Sequence, residues 1–230
     1  MKIWKKRKNT YNEVIPMDMI TIKNLAFSLL GEKASHGWKE IGNKYYHGER
    51  VATLAVKLRE LIFPGDNSKD DILTVAAWFH DIMNGKENHA TVGATKAREV
   101  LQDYCTTEEL DEICAIISVH DDRYSGRETY NHLIKLHQDA DHLDHFGTYD
   151  VWMSFLYAVP HDMKFHEVID WLVHVRPTQD EKYRNELNYN LSKKIYDEKA
   201  EFLKEFSKRF QVEGSGGIWN EDLIKENNYE

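Results

Sequence analysis

Four side chains that can bind a metal ion occur in three separate segments of the chain. His47 lies in YYHGERV, the pair His80 and Asp81 lies in AAWFHDIMNG, and Asp141 lies in QDADHLDHFG. Two imidazoles and two carboxylates suit borderline or hard divalent cations, here Mn²⁺, Mg²⁺, Fe²⁺, Co²⁺, Ni²⁺ or Zn²⁺. Such a set also leaves coordination positions for water and substrate. The pattern therefore predicts a metal site at which chemistry can take place.

The segments around these residues have the periodicity of helices. Residues 45–62 place a stripe with a 3.6-residue period on one face: His47, Val51, Leu54, Leu58 and Leu61. Only four prolines occur in the chain, and no stretch alternates as a β-strand would. The sequence therefore predicts an all-α fold. The expected helices cover about residues 18–30, 36–46, 45–62, 71–83, 90–104, 131–146, 150–159 and 180–210, with another starting near 107. Residues 165–174 are apolar, and Arg176–Pro177 marks a break in the chain.

Helix geometry limits where the ion can lie. Neighbouring residues on a helix point about 100° apart, so His80 and Asp81 reach one ion only if it lies between helices. The core of a helical bundle offers such a position. The alternative is that the pair merely hydrogen-bonds within a packed core, as most buried polar groups do. The coincidence of three such segments favours the metal site.

Composition narrows the class of protein further. The 230 residues are 41% hydrophobic and 30% charged, with a net charge of −9, which is typical of a soluble globular protein and disfavours nucleic-acid binding. We find neither a signal peptide nor an apolar stretch of the roughly 18–20 residues that a membrane span requires. Two cysteines are too few for a disulfide framework, so we expect a reducing compartment, the cytoplasm.

The order His47, His80-Asp81, Asp141 resembles the signature of the HD-domain metal-dependent phosphohydrolase superfamily. The resemblance covers about residues 40–160 and includes HGERVATLA at 47–55 and AAWFHDI at 76–82. The stretch QDADHLDHFG at 138–147 and the later IYDEKAEFLKEFSKRF are similar to a subgroup of small bacterial HD hydrolases. The resemblance implies an all-α, HD-domain-like helical bundle with the metal site between its central helices.

The resemblance also implies roles for individual residues. His47, His80, Asp81 and Asp141 would hold the ion, because the family ligand is the aspartate of Ala-Asp-x-Leu. His89 and His120 stand where two-metal members bind a second ion, so they would bind either that ion or substrate. One or two divalent ions are therefore expected.

The proton acceptor is less clearly marked. Asn84 stands where the nucleotidase branch has a glutamate, and His120 is followed by Asp121 instead of a second histidine. Glu87 and Asp144 are the candidates for the catalytic base. Asp144 could instead hydrogen-bond a metal-bound histidine from outside the ligand set.

Basic residues near these positions could bind a phosphate. Arg50 lies three residues after His47, on the same helical face, and could form bidentate hydrogen bonds. Arg123 is the second candidate for phosphate binding, and the weaker ones are Lys44, Lys86 and Arg127.

The sequence thus predicts a metal-dependent phosphohydrolase of a small phosphorylated substrate, most simply a nucleotide. The alternatives are an HD-type di-iron oxygenase and a non-catalytic nucleotide-sensing module. We expect an N-terminal helical extension at 1–35, an HD domain at 36–175, a long helix packed on it at 176–212, and a flexible tail at 213–230. A homo-oligomer is compatible with the aromatic-rich final helix.

Overall fold

The computed structural model describes residues 16–34 and 40–220. These residues contain helices and one isolated bridge between Ala34 and Ile41, and no β-strand, so the all-α prediction is confirmed within the part described. The helices are α1 Met19–Leu30, α2 Asn43–Ile62, α3 Asp70–Phe79, α4 His89–Leu101, α5 Thr107–Ser118, α6 His132–Asp144, α7 Thr148–Ala158, α8 Phe165–Asp170, α9 Asp180–Glu186 and α10 Asn190–Gly214.

Two compact units make up the chain. The first runs to Asp144 and also includes Leu187–Ser192, and the second consists of His145–Glu186 and the chain from Lys193 onward. The expected domain boundaries stay a prediction. Part of the expected N-terminal extension, part of the stretch 36–46 and most of the expected tail lie outside the described residues. Within the described residues, none of the helices combines the length and apolar character needed to cross a bilayer.

The first unit is organised around α3. This helix contacts α1, α2, α5 and α6, because its apolar side chains point in nearly all directions. Its buried residues are Ile72, Leu73, Val75, Ala76, Ala77, Trp78 and Phe79. A helix that is apolar on every side is expected in the interior of a bundle. The turn that follows Phe79 therefore lies in the core.

The buried face of α2 differs slightly from the predicted stripe. His47, Val51 and Leu58 are buried as expected, whereas Leu61 is 56% exposed. Ala55 is fully buried in addition. Leu61 lies at the edge of the buried face in the last turn of the helix, so its side chain remains in solvent.

A glycine allows α2 to approach α3 closely. A Cβ added at Gly48 would lie 2.8 Å from the carbonyl oxygen of Ala77 and 3.2 Å from Cα of Trp78. Because these are backbone atoms, they cannot move aside as the end of a flexible side chain could. Gly48 therefore fixes the distance between the two helices next to His47.

The long helix predicted over 180–210 is interrupted. α9 ends at Glu186 and α10 begins at Asn190. The backbone N–H groups of Asn188 and Tyr189 donate instead to the buried carboxylate of Asp139, at 2.7 and 3.0 Å. A buried acceptor on α6 thus replaces the helical hydrogen bonds at this position.

The second unit has its own core. Ala158, Val168, Leu172 and Leu203 are buried together, with Phe155, Trp171, Phe206 and Phe210 packed against them. Buried Arg176 pairs with Asp150 at 2.8 Å and with Asp180 at 2.7 Å. The expected break at Arg176–Pro177 takes the form of a π-turn, Trp171–Val175, that runs into a 3₁₀-turn, Arg176–Gln179.

We expect Gly48→Ala to lower the free energy of unfolding by about 1–3 kcal/mol, because the added methyl group would overlap the backbone of α3. Gly93→Ala is the matched control, since the nearest heavy atom to its added Cβ would lie 3.4 Å away. Alanine also favours a helix over glycine by up to about 1 kcal/mol, so the control should match or exceed the parent. Urea unfolding measures both variants. Equal stabilities for the two would contradict the close-approach argument.

Candidate metal centre

His80 and Asp81 lie in the turn that directly follows α3. The predicted helix over 71–83 ends earlier, at Phe79, and His80 keeps helical backbone angles as its cap. Both side chains are almost completely buried. Since α3 is central in the first unit, this turn places an imidazole and a carboxylate in the interior.

A first group of ligand atoms combines three of the predicted residues. Nitrogen or oxygen atoms of His47, His80 and Asp81 lie within 4.8 Å of one another. The Nε2 atoms of His47 and His80 are 3.2 Å apart. Asp141 joins them from α6, with Oδ1 at 3.0 Å from Nε2 of His47 and 3.5 Å from Nε2 of His80. The structure therefore brings all four predicted ligands together.

A second group shares one residue with the first. Atoms of Asp81, His89 and His120 lie within 4.8 Å of one another, and the Nε2 atoms of the two histidines are 3.2 Å apart. Oδ1 of Asp81 is 4.0 Å from His89 and 3.9 Å from His120. Its Oδ2 is 3.8 Å from Nε2 of His80. Asp81 therefore lies between the two groups with one oxygen toward each.

Backbone carbonyls orient two of the histidines. Nδ1 of His80 donates to the carbonyl of Ala77, and Nδ1 of His120 donates to that of Ile117, both at 2.8 Å. We assign these tautomers from the hydrogen bonds, because a carbonyl can only accept. Each Nε2 is then free to bind a cation with its lone pair. Such outer contacts are typical of metal-binding histidines.

Asp144 orients His47 through Nδ1, the ring nitrogen that faces away from the other candidate ligands. Its Oδ2 lies 2.7 Å from Nδ1 of His47, whereas Nε2 of that ring faces the other ligands. Arg50 donates to both oxygens of Asp144, at 2.8 and 2.9 Å. Burial would raise the pKa of Asp144, but the hydrogen bonds from His47 and Arg50 lower it to about 2. The carboxylate is thus ionised, and both of its oxygens accept hydrogen bonds.

Each carboxylate of the centre has a basic partner. Nζ of Lys44 lies 2.6 Å from Oδ2 of Asp81, and Nη2 of Arg123 lies 2.7 Å from Oδ2 of Asp141. Burial opposes ionisation of both aspartates, but neighbouring histidines and these cations lower the pKa of each carboxyl group well below its usual value. Both predicted phosphate-binding arginines, Arg50 and Arg123, therefore contact acids of the centre.

Other predicted residues lie apart from this set. Glu87 is exposed in the loop between α3 and α4, and it forms no hydrogen bond or ion pair with the groups above among the described residues. Asn84 donates to Oδ1 of Asp81 at 3.2 Å. Arg127 binds the side chain of Asn188 and the carbonyl of Leu187. The structure thus does not bring Glu87 or Arg127 to the ligands.

His137 lies beside the metal centre, although the sequence pattern does not mark it as a ligand. This residue is fully buried, and its ring centroid lies 5.1 Å from that of His80 and 6.2 Å from that of His120. Burial, and then the neighbouring His80, hold its pKa well below the usual value. The available signal was its spacing, since it precedes Asp141 by four residues and shares its helical face.

Residues 45–146 match the family model of the HD domain, so this part of the chain is an HD domain. HD domains bind divalent metal ions, and the donor set fits one: imidazole nitrogens with oriented tautomers and ionised carboxylates converge in two groups. No curated protein sequence matches the chain.

Solved structures share the fold. An HD-superfamily hydrolase from Bacillus thuringiensis is 21% identical, with a TM-score of 0.62, and the match covers 86% of this chain and 96% of that one. Bacillus subtilis YpgQ in complex with ADP is 18% identical, with a TM-score of 0.56 and coverage of 84% and 93%. A protein from Lactobacillus plantarum is 18% identical, with a TM-score of 0.59 and coverage of 86% and 97%.

Adding Mn²⁺ or Co²⁺ should stabilise the protein, because an ion held only by the folded state favours folding. At 100 times the dissociation constant the gain is about 2.7 kcal/mol, or roughly 5–10 °C in melting temperature for a chain of this size. Asp81→Asn should lose most of this shift. Asp71→Asn, at an exposed position in the first turn of α3, should keep it. Equal shifts in the two variants would rule out Asp81 as a ligand.

Metal affinity should rise with pH between about 7 and 9. In the metal-free protein, burial lowers the pKa of His47, but hydrogen bonds to Asp141 and Asp144 outweigh it and raise the pKa to about 9. His47 is therefore protonated below pH 9 and must release a proton to bind an ion. We expect up to about a tenfold gain per pH unit. Calorimetric titration in buffers of different ionisation enthalpy counts the proton, and Asp144→Asn should weaken the dependence. A metal affinity that does not change between pH 7 and 9 would contradict this prediction.

Proposed function

We propose that the chain is a metal-dependent phosphohydrolase that acts on a small phosphorylated molecule, specifically a nucleotide. The observation that carries the proposal is the convergence of His47, His80, Asp81 and Asp141 from α2, the turn after α3, and α6. The HD-domain match supports a metal-dependent phosphohydrolase at the level of the superfamily. A hydrolase of this superfamily from Bacillus thuringiensis shares the fold.

The charges around the ligands favour an anionic substrate. Asp81, Asp141 and Asp144 are each matched by one cation, so their formal charges cancel. A divalent ion would add two positive charges to this neutral set. Because the set is largely buried, that excess is poorly screened and attracts an anion. A phosphate group has the charge and the oxygen atoms to meet it.

The ion, when bound, would polarise a phosphoryl oxygen and lower the pKa of a water molecule. His47, His80, Asp81 and Asp141 would hold it. Lys44 and Arg123 lie against two of these ligands, where they could stabilise charge that develops on phosphoryl oxygens. Each can give up part of its contact with an aspartate once an ion shares that carboxylate.

Asp144 fits a positioning role better than that of a proton acceptor. Both of its oxygens accept hydrogen bonds, and its low pKa makes it a weak base. Glu87, exposed on the loop after Asp81, is the other candidate for the base. We propose His89 and His120, together with Asp81, as the site of a second ion.

The proposal that the substrate is a nucleotide rests on one structural relative. Bacillus subtilis YpgQ, which shares the fold, was solved in complex with ADP. We therefore propose nucleoside phosphates or pyrophosphates as the first class to test.

An HD-type di-iron oxygenase is the second candidate. The observation that favours it is the second histidine-containing group at Asp81, where His89 and His120 would hold a second iron. Bound iron with O₂ consumption and no phosphate release would select this alternative. A nucleotide-sensing module would bind nucleotide without turnover, which the intact ligand set disfavours.

We also propose a small-molecule partner and a cytoplasmic location. The two cysteines, Cys105 and Cys114, are buried free thiols, which suits a reducing compartment. Neither nucleic acid nor membrane is an expected partner. A homo-oligomer remains compatible with the aromatic side chains of α10, and sedimentation would measure it.

The purified protein should release phosphate or pyrophosphate from nucleotides in a screen with Mn²⁺, Mg²⁺, Co²⁺ and Ni²⁺ as the added ions. Asp81→Ala should reduce kcat/KM by at least about a thousandfold, because it removes a ligand of both groups. Asp71→Ala, at an exposed position in the first turn of α3, should retain parental activity. Full activity in Asp81→Ala would show that the site is wrongly assigned.

A further inference from the structure

His137 is a buried histidine beside the metal centre. It lies on α6, four residues before Asp141 and on the same helical face. Its side chain is fully buried. Neither ring nitrogen has a hydrogen-bond partner among the described residues.

The ring contacts one histidine from each ligand group. Its centroid is 5.1 Å from that of His80 and 6.2 Å from that of His120, and both pairs meet edge to face at 75°. His80 belongs to the group with His47, whereas His120 belongs to the group with His89. His137 is therefore placed to influence both groups together.

A histidine is an unfavourable choice for filling this position. A buried polar group without a partner costs stability, and an apolar side chain of similar shape would avoid that cost. Leucine or phenylalanine would pack against the same rings. A polar ring at such a place is expected to have a partner that arrives with a ligand.

We propose that His137 is a positioning residue of the metal centre. Its ring nitrogens hydrogen-bond to water that accompanies the bound ion beside His80 and His120. It acts through this water and is not itself a ligand. The inference rests on the proposed function only in requiring that the centre binds a divalent ion.

Two apolar variants, His137→Leu and His137→Phe, test the role of the ring nitrogens. Leucine is close to histidine in volume and phenylalanine is close to it in shape, so a failure of one to fold leaves the other. Calorimetric titration with Co²⁺ and the visible absorption of the bound Co²⁺ report on the centre without any substrate. His132→Leu is the control on the same helix, since His132 is partly exposed and pairs with Asp66.

We expect both apolar variants to bind Co²⁺ at least tenfold more weakly, which is the usual effect of losing an outer contact of a metal site. Their Co²⁺ absorption bands should shift. Their metal-free melting temperature should equal or exceed that of the parent, because an unpartnered polar group has been removed. His137→Gln, which keeps polar atoms, should recover part of the affinity.

A role in packing alone predicts a different result. The apolar variants would then match the parent in Co²⁺ affinity within about twofold, with unchanged absorption bands, and that result would overturn the inference while leaving the proposed function intact. A parent protein that binds no divalent ion would overturn both. Loss of affinity in His132→Leu as well would trace the effect to α6 in general and would also overturn it.

Discussion

Burial of the Asp81 carboxylate is the constraint on which the first unit depends. An ionised carboxylate in a protein interior is stable only with compensating charge, and Lys44 together with the surrounding histidines supplies it. The position follows from α3, whose apolar surface on every side draws the next turn inward. The packing that forms the core thus also concentrates charge within it.

The groups that surround Asp81 are oriented largely by main-chain atoms. Carbonyls of Ala77 and Ile117 hold His80 and His120, and Gly48 lets α2 come close enough for His47 to join them. Main-chain positions are set by helix packing as a whole, so they vary less than side-chain contacts. The arrangement of the ligands is therefore a property of the bundle.

The helical class and the four candidate ligands could be predicted from the sequence because both depend on local pattern. His47, His80, Asp81 and Asp141 lie beside apolar runs whose periodicity can be counted. The pairing of Lys44 with Asp81 and the burial of His137 depend on how separate helices meet, which no local pattern contains. The break before α10 escaped prediction for the same reason, since its cause, Asp139, lies 49 residues earlier in the chain.

The Asp139 carboxylate also makes the support of the metal centre depend on a segment that is synthesised later. Asp139 stands two residues before Asp141, and its hydrogen bonds reach forward to Asn188 and Tyr189. During translation α6 is synthesised before these residues. The ligand helix therefore receives its last anchor only when most of the chain has emerged. Protein without this segment would have the ligands of the centre but would lack the support that fixes one of them.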